Sequence, residues 1–271
     1  MSRLSSLFER LAGEGKKALV PYIVAGDPHP NVTVAIMHAL VEQGADIIEL
    51  GIPFSDPMAE GPTIQLAHER ALAHGTSLTN ALAMVAEFRQ SNSETAVVLM
   101  GYANPVNRMG FAQFADKAAD AGVDGLLTVD LPPEEAEALN VELKRVNIDN
   151  IFLLAPTTTD ERIAKVAALA SGYLYAVSLK GVTGAGNLDL ASVKLQMERI
   201  QKYTDLPVTV GFGIKDAESA AAIAPLCEGV VVGSALVDRI LNDLGEDVNG
   251  ADIQQIARAV TMIGEMRSAI D

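Results

Sequence analysis

Eight short apolar runs, separated by amphipathic stretches, constrain this 271-residue chain more than any other feature. The runs are 18–24, 46–50, 96–100, 125–129, 150–154, 173–178, 207–212 and 229–232. They are rich in Val, Ile and Leu with little polar alternation, the pattern of strands buried on both faces. Helical patterns lie between them at 31–43, 63–74, 78–89, 111–121, 134–145, 160–170, 190–202, 216–226 and 235–242, and a last one covers 253–268. Gly44 and Gly122 stand where a helical pattern hands over to a strand, and Gly172 and Gly229 occupy two more such junctions. A glycine just past a helix end supplies the left-handed cap that a tight turn needs. Eight βα units of ~30 residues predict an α/β fold, a single (β/α)8 TIM barrel spanning 1–271 as one domain. An extra N-terminal helix is expected from the amphipathic residues 1–10. An open doubly wound sheet is the alternative, but no Gly-x-Gly-x-x-Gly follows the first run.

Composition narrows the function. Apolar residues make up 49% of the chain, enough for a sizeable core, and the net charge of −15 repels a polyanion, so no nucleic acid is expected as partner. Aromatics are 4% with no Trp, which leaves little surface for stacking bases. Cys227 is the one cysteine, so an internal disulfide is impossible; the chain reads as intracellular and cytoplasmic, and the thiol as buried and inert. Charges interrupt the apolar pattern of residues 1–10, unlike a secretory signal, and no apolar run reaches the length of a membrane span. His29, His38, His68 and His74 show no metal-binding spacing, so they read as surface or core histidines and no metal is expected.

A barrel of this kind carries its chemistry at the C-terminal ends of the strands. Glu49 is an ionisable group inside the second apolar run. Burying an unpaired carboxylate is costly and raises its pKa, which suits a group exchanging protons near neutral pH. The other reading is a structural salt bridge. The loop that follows, residues 52–62, holds three prolines and the acids Asp56 and Glu60, either of which is a candidate second carboxylate or a solvated loop charge. After the sixth run, residues 179–186 read as a glycine-containing lid, or as simple turn chemistry. Gly211-Phe212-Gly213 after the seventh run and Gly233-Ser234 after the eighth, beside a helix start, form a phosphate-site pattern. Backbone N–H groups can approach a dianion there, and the helix dipole favours it. The alternative is a pair of tight turns. These arguments reach a phosphorylated small molecule and acid–base chemistry.

Six motifs then converge. They are Pro21 with Gly26-Asp27-Pro28, Glu49 to Pro57 with Gly61 to Gln65, Tyr102 to Pro105, Asp130 to Glu135, Gly181 to Gly184, and Gly211 to Ile214. In order and across essentially the whole chain, they resemble the tryptophan synthase alpha subunit family. The resemblance implies a lyase that cleaves indole-3-glycerol phosphate by a retro-aldol step to indole and glyceraldehyde 3-phosphate, in tryptophan biosynthesis. It implies no cofactor in this chain, with PLP held only by a partner beta subunit in an allosteric alpha-beta-beta-alpha heterotetramer. By match to the family's motifs, Glu49 shuttles protons, Glu60 is the second carboxylate, and Tyr175 positions substrate and Glu49. Tyr22, Met100 and Leu127 line the indole pocket. Thr183 is the lid threonine, Phe212 contacts substrate, and Gly184, Gly213, Gly233 and Ser234 cradle the phosphate. Pro53, Asp56 and Asn104 fall near the subunit interface.

The chain departs from the family pattern at several positions. Tyr22 stands where Phe is commoner, Leu179 where Arg or Val is, and Glu60 where the family has Asp. The extra methylene of Glu60 moves the carboxylate by ~1 Å, a displacement that can cost on the order of 100-fold in rate. Two other functions therefore stay open at this point: a free-standing indole-releasing lyase, and a weakly active or regulatory alpha subunit that mainly activates a beta partner.

Overall fold

All eight strands of the computed structural model pair in parallel and in chain order, and the first closes on the eighth. The structure describes residues 2–178, 189–211, 213–246 and 248–271. The chain begins with α1 (Arg3–Glu14), β1 (Ala18–Val24), α2 (Pro30–Glu42), β2 (Ile47–Gly51), α3 (Pro62–Ala73), α4 (Leu78–Arg89) and β3 (Ala96–Gly101). It continues through α5 (Ala103–Met109), α6 (Phe111–Ala121), β4 (Gly125–Thr128), α7 (Glu137–Arg145), β5 (Asp149–Leu154), α8 (Asp160–Leu169) and β6 (Leu174–Val177). The last part holds α9 (Leu190–Ile200), β7 (Val208–Gly211), α10 (Ala217–Ile223), β8 (Gly229–Val232), α11 (Ser234–Leu244), α12 (Ile253–Ala259) and α13 (Thr261–Ile270). The closed parallel barrel with a helical layer is the architecture the apolar runs predict. Among the described residues no helix is long and apolar enough to cross a membrane.

Successive strand residues point to opposite faces, so each strand serves two cores. Leu19, Ile23, Ile48, Leu50, Val97 and Leu99 face the helices. Val20, Tyr22, Ile47, Val98, Leu127, Ile151, Tyr173 and Tyr175 fill the inside of the barrel. The buried face of α1 (Leu4, Leu7, Phe8 and Leu11) joins that inner cluster. It lies at the N-terminal ends of the strands: a Cβ on Gly125 or Gly172 would press against Leu4 Cδ1, and the Phe8 ring sits 5.8 Å from that of Tyr173. Arg3 pairs with buried Asp124, which Arg89 also binds at 2.7 Å.

Several expected boundaries shift for local reasons. The segment expected as helix from residue 134 starts at Glu137, because Pro132 and Pro133 lead into a turn in which the Glu135 N–H donates to the Pro132 carbonyl at 2.9 Å. The 216–226 helix ends at Ile223, and Ala224–Leu226 tighten into a 3-10 turn containing Pro225, which has no N–H to continue an α-helix. The stretch 253–268 is two helices meeting at Val260. The α5 helix was not expected from the pattern; Pro105 falls within its first turn, where a missing N–H costs nothing. Gly44, Gly122 and Gly172 adopt the positive φ of their junction role, but Gly229 does not. Gly229 opens β8, where a Cβ would press against Thr209 Cγ2 at 2.9 Å and Ala18 Cβ at 3.1 Å; strand packing explains this glycine.

Candidate active site

Glu49 is the third residue of β2, in register with Tyr22 of β1 and Val98 of β3, and it is fully buried inside the barrel. No salt bridge holds it among the described residues. Instead the Tyr173 hydroxyl donates to Glu49 Oε1 at 2.7 Å, while Oε2 is buried without a hydrogen-bond partner among the described residues. Burial pushes the Glu49 carboxyl up to about 7; the Tyr173 hydrogen bond opposes the rise, and the charge of Glu60 adds to it.

Glu60 sits just before α3. Its N–H donates to the Pro57 carbonyl at 3.0 Å, and its carbonyl accepts from Gln65 Nε2 at 2.8 Å, which fixes the backbone beneath the carboxylate. Burial pushes this carboxyl up to about 7 as well. Asp56, the other candidate, is exposed and accepts from Ser55 Oγ at 2.6 Å. The two acids on that loop therefore separate cleanly: Glu60 turns inward and Asp56 faces solvent.

The tyrosines complete the wall. Tyr22 and Tyr175 are each 5% exposed, and burial first, then the nearby Glu49 and Glu60 carboxylates, hold both phenols well above their ordinary range. Each phenol lies over a glycine that ends a neighbouring strand. A Cβ on Gly51 would collide with the Tyr22 hydroxyl, and one on Gly211 with the Tyr175 hydroxyl. Met100 and Leu127 are cross-strand partners on β3 and β4, both buried in the inner cluster.

Three of the expected ligand contacts lie outside the described residues: Thr183, Gly184 and Phe212, together with the whole lid 179–186. On the rim, Gly213 is exposed with φ +79°, a conformation that favours glycine. Gly233 caps the N-terminus of α11, whose first residue is exposed Ser234. A Cβ on Gly233 would meet nothing closer than Tyr22 at 3.8 Å, so open space adjoins this helix start. Of the expected interface residues, Asp56 and Asn104 are exposed, whereas Pro53 is buried within its own chain. Met58, on the same loop, is 83% exposed.

Sequence reasoning missed two residues here. Tyr173 reads as the start of an apolar run, yet it is the direct partner of Glu49; its spacing of two from Tyr175 is the signal, since alternate residues share a face. His68 reads as a default core histidine, yet its ring touches both the Glu60 loop and Tyr22. Cys227 is buried as expected, and burial holds its thiol up at about 12. Among the described residues no group of three or more His, Cys, Asp and Glu side chains is arranged to hold a metal ion.

One carboxyl buried inside a parallel barrel and a second, half-buried one on the loop above it, both raised toward neutrality beside a glycine-lined helix start, define an acid–base enzyme of the (β/α)8 class. The family pattern of the tryptophan synthase alpha chain matches residues 8–270. A tryptophan synthase alpha chain from Nitrosococcus oceani is 61% identical over 240 residues, 89% of each chain. One from Marinobacter nauticus is 54% identical, covering 100% of this chain and 98% of the relative. The crystal structure of tryptophan synthase subunit alpha from Legionella pneumophila superposes with a TM-score of 0.90 at 43% identity, over 100% of this chain and 98% of that one. The chain belongs to the tryptophan synthase alpha chain family.

Proposed function

We propose that this chain cleaves indole-3-glycerol phosphate to indole and glyceraldehyde 3-phosphate, with Glu49 moving the protons. The carrying observation is that buried Glu49 and half-buried Glu60 are both held up at about 7, with the charge of Glu60 adding to the rise at Glu49. A proton is placed on indole C3, and another is removed from the hydroxyl of the adjacent side-chain carbon. The bond from C3 to that carbon then breaks, its electrons restore the aromatic ring, and the carbinol carbon becomes the aldehyde. A carboxyl with a pKa near the working pH serves both transfers, because both of its forms are populated. Oε1 of Glu49 is taken by Tyr173, which leaves Oε2 for the reactant.

In this reading Glu60 accepts the indole N–H and stabilises the positive charge that develops on the ring, a role that counts only in the transition state. Tyr175 positions substrate and Glu49, and Tyr22, Met100 and Leu127 bound the ring. Gly213, Gly233 and Ser234 hold the phosphate through backbone N–H groups and the α11 dipole, with Thr183, Gly184 and Phe212 completing the enclosure. We further propose that the whole chain works as one domain without a cofactor of its own, and that it is cytoplasmic, with neither nucleic acid nor membrane as partner. Its partner is a PLP-dependent beta subunit in an alpha-beta-beta-alpha assembly, docked over the exposed loop of Asp56 and Met58, with Pro53 beneath it and Asn104 beside it. A purely regulatory role is not favoured, because the inward-turned Glu60 keeps the second acid in the site.

The test is indole release from indole-3-glycerol phosphate, with and without a beta subunit. Turnover by the chain supports the lyase, and its abolition by Glu49→Gln with substrate binding retained supports the proton role. Activation of the partner without any turnover would overturn the reading.

A further inference from the structure

We propose that His68 is a positioning residue for this cleavage, a single rigid ring that holds both the Tyr22 wall of the pocket and the segment bearing Glu60. The inference rests on the function proposed above. His68 lies on the buried face of α3 with Ile64, Ala67 and Ala71, and it is 2% exposed. A polar side chain so placed must find partners, and it finds two. The Phe54 N–H donates to Nδ1 at 3.0 Å, and Nε2 lies 3.4 Å from the Tyr22 hydroxyl.

The hydrogen-bond network assigns the tautomer. Because Nδ1 accepts from a backbone N–H, the ring's proton is on Nε2, which donates to the phenol oxygen. Burial favours that neutral ring by holding the imidazole down at about 4. The two contacts have different destinations. Tyr22 is the cross-strand neighbour of Glu49 and lies over Gly51. Phe54 lies near the start of the 52–62 loop that carries Glu60; its ring stacks 5.0 Å from Tyr102, whose hydroxyl accepts from the Ala59 N–H at 3.1 Å. The loop is thus pinned near one end by His68 and near the other by Tyr102. The fixed angle between the imidazole nitrogens sets the pocket wall against the second carboxylate.

Glutamine and asparagine separate the two contacts. His68→Gln keeps a donor near the Nε2 position and loses the acceptor for Phe54; His68→Asn keeps an acceptor near Nδ1 and falls short of Tyr22. Loss of one neutral hydrogen bond corresponds to about a 2- to 10-fold effect. His68→Gln should therefore lower kcat by that factor with KM held. His68→Asn should raise KM by that factor with kcat held, and adding Tyr22→Phe to it should change nothing further. Equal losses in both variants, or multiplying effects of His68→Asn and Tyr22→Phe, would overturn the proposal. A readout independent of turnover is the imidazole nitrogen resonance of His68 at pH 7, assigned by its loss in His68→Asn. Tyr22→Phe should move it, and an unmoved signal refutes the contact. If the parent releases no indole but that resonance moves, the assigned reaction fails while the contact stands.

Discussion

Glu49→Gln should change how the stability of this chain depends on pH, by an amount the burial of Glu49 sets. In the unfolded chain the carboxyl ionises near the ordinary glutamate value of 4.5, whereas the native site holds its proton until about 7. Between those values unfolding releases a proton, so raising the pH favours the unfolded state, and above both the cost levels off. A displacement of that size is worth about 3 kcal/mol when fully expressed, of which about 2 kcal/mol develops between pH 5.5 and 8.5. That window avoids the pI of 4.6, where solubility is lowest. The variant cannot ionise, so relative to the parent it should gain about 2 kcal/mol on going from pH 5.5 to 8.5. Packing changes caused by the amide enter equally at both pH values and cancel in the difference. For a chain of this length the unfolding entropy is roughly 0.6 kcal/mol per degree, so the midpoint difference between the two proteins should move by about 3 to 4 °C. Thermal melts of both proteins at the two pH values provide the assay. Parallel pH dependences would mean that Glu49 titrates as an ordinary surface acid, and the proton-transfer reading would lose its basis.

Other expectations concern single contacts. Tyr173→Phe removes the hydrogen bond that favours ionised Glu49, so the acid limb of the pH–rate profile should move up by about one to two pH units; an unchanged limb would show that another group controls it. Glu60→Asp should give kcat equal to or above the parent in indole-release assays, whereas a collapse would mean the pocket is built around the longer acid. Arg70 binds buried Asp27 through two hydrogen bonds of 2.6 and 3.2 Å, which oppose the rise that burial imposes on the Asp27 pKa. Arg70→Met strands that charge and should destabilise the fold by about 3 to 5 kcal/mol in urea titration; a loss under 1 kcal/mol would contradict it.

The barrel was legible because its strands are buried twice over, which writes continuous apolar runs into the chain. The expected strand 229–232 and the helices 78–89 and 111–121 coincide with β8, α4 and α6. Errors fell where local backbone chemistry competes with pattern, as at Pro225, or where one apolar period runs through a break, as at Val260. In the site, Glu49 stood out because a charge interrupts an apolar strand, and Gly233-Ser234 because glycine precedes a helix. Which loop acid turns inward was legible only through the family resemblance, since Asp56 and Glu60 are equally polar in sequence and the turn at Pro57 and the Gln65 contact set the backbone there. The partners of His68 and Tyr173 were equally hidden, because each meets a residue far along the chain.

The amphipathic helix at the start of the chain has a consequence beyond packing. Its four buried side chains plug the interior of the barrel at the N-terminal ends of the strands. The plug also reaches the chemistry, because Phe8 touches Tyr173 and Tyr173 touches Glu49. Water admitted from below would rehydrate that carboxyl and return it toward ordinary acidity. The proton affinity on which the proposed transfer depends is therefore guarded by a twelve-residue helix at the opposite end of the strands from the proposed phosphate site.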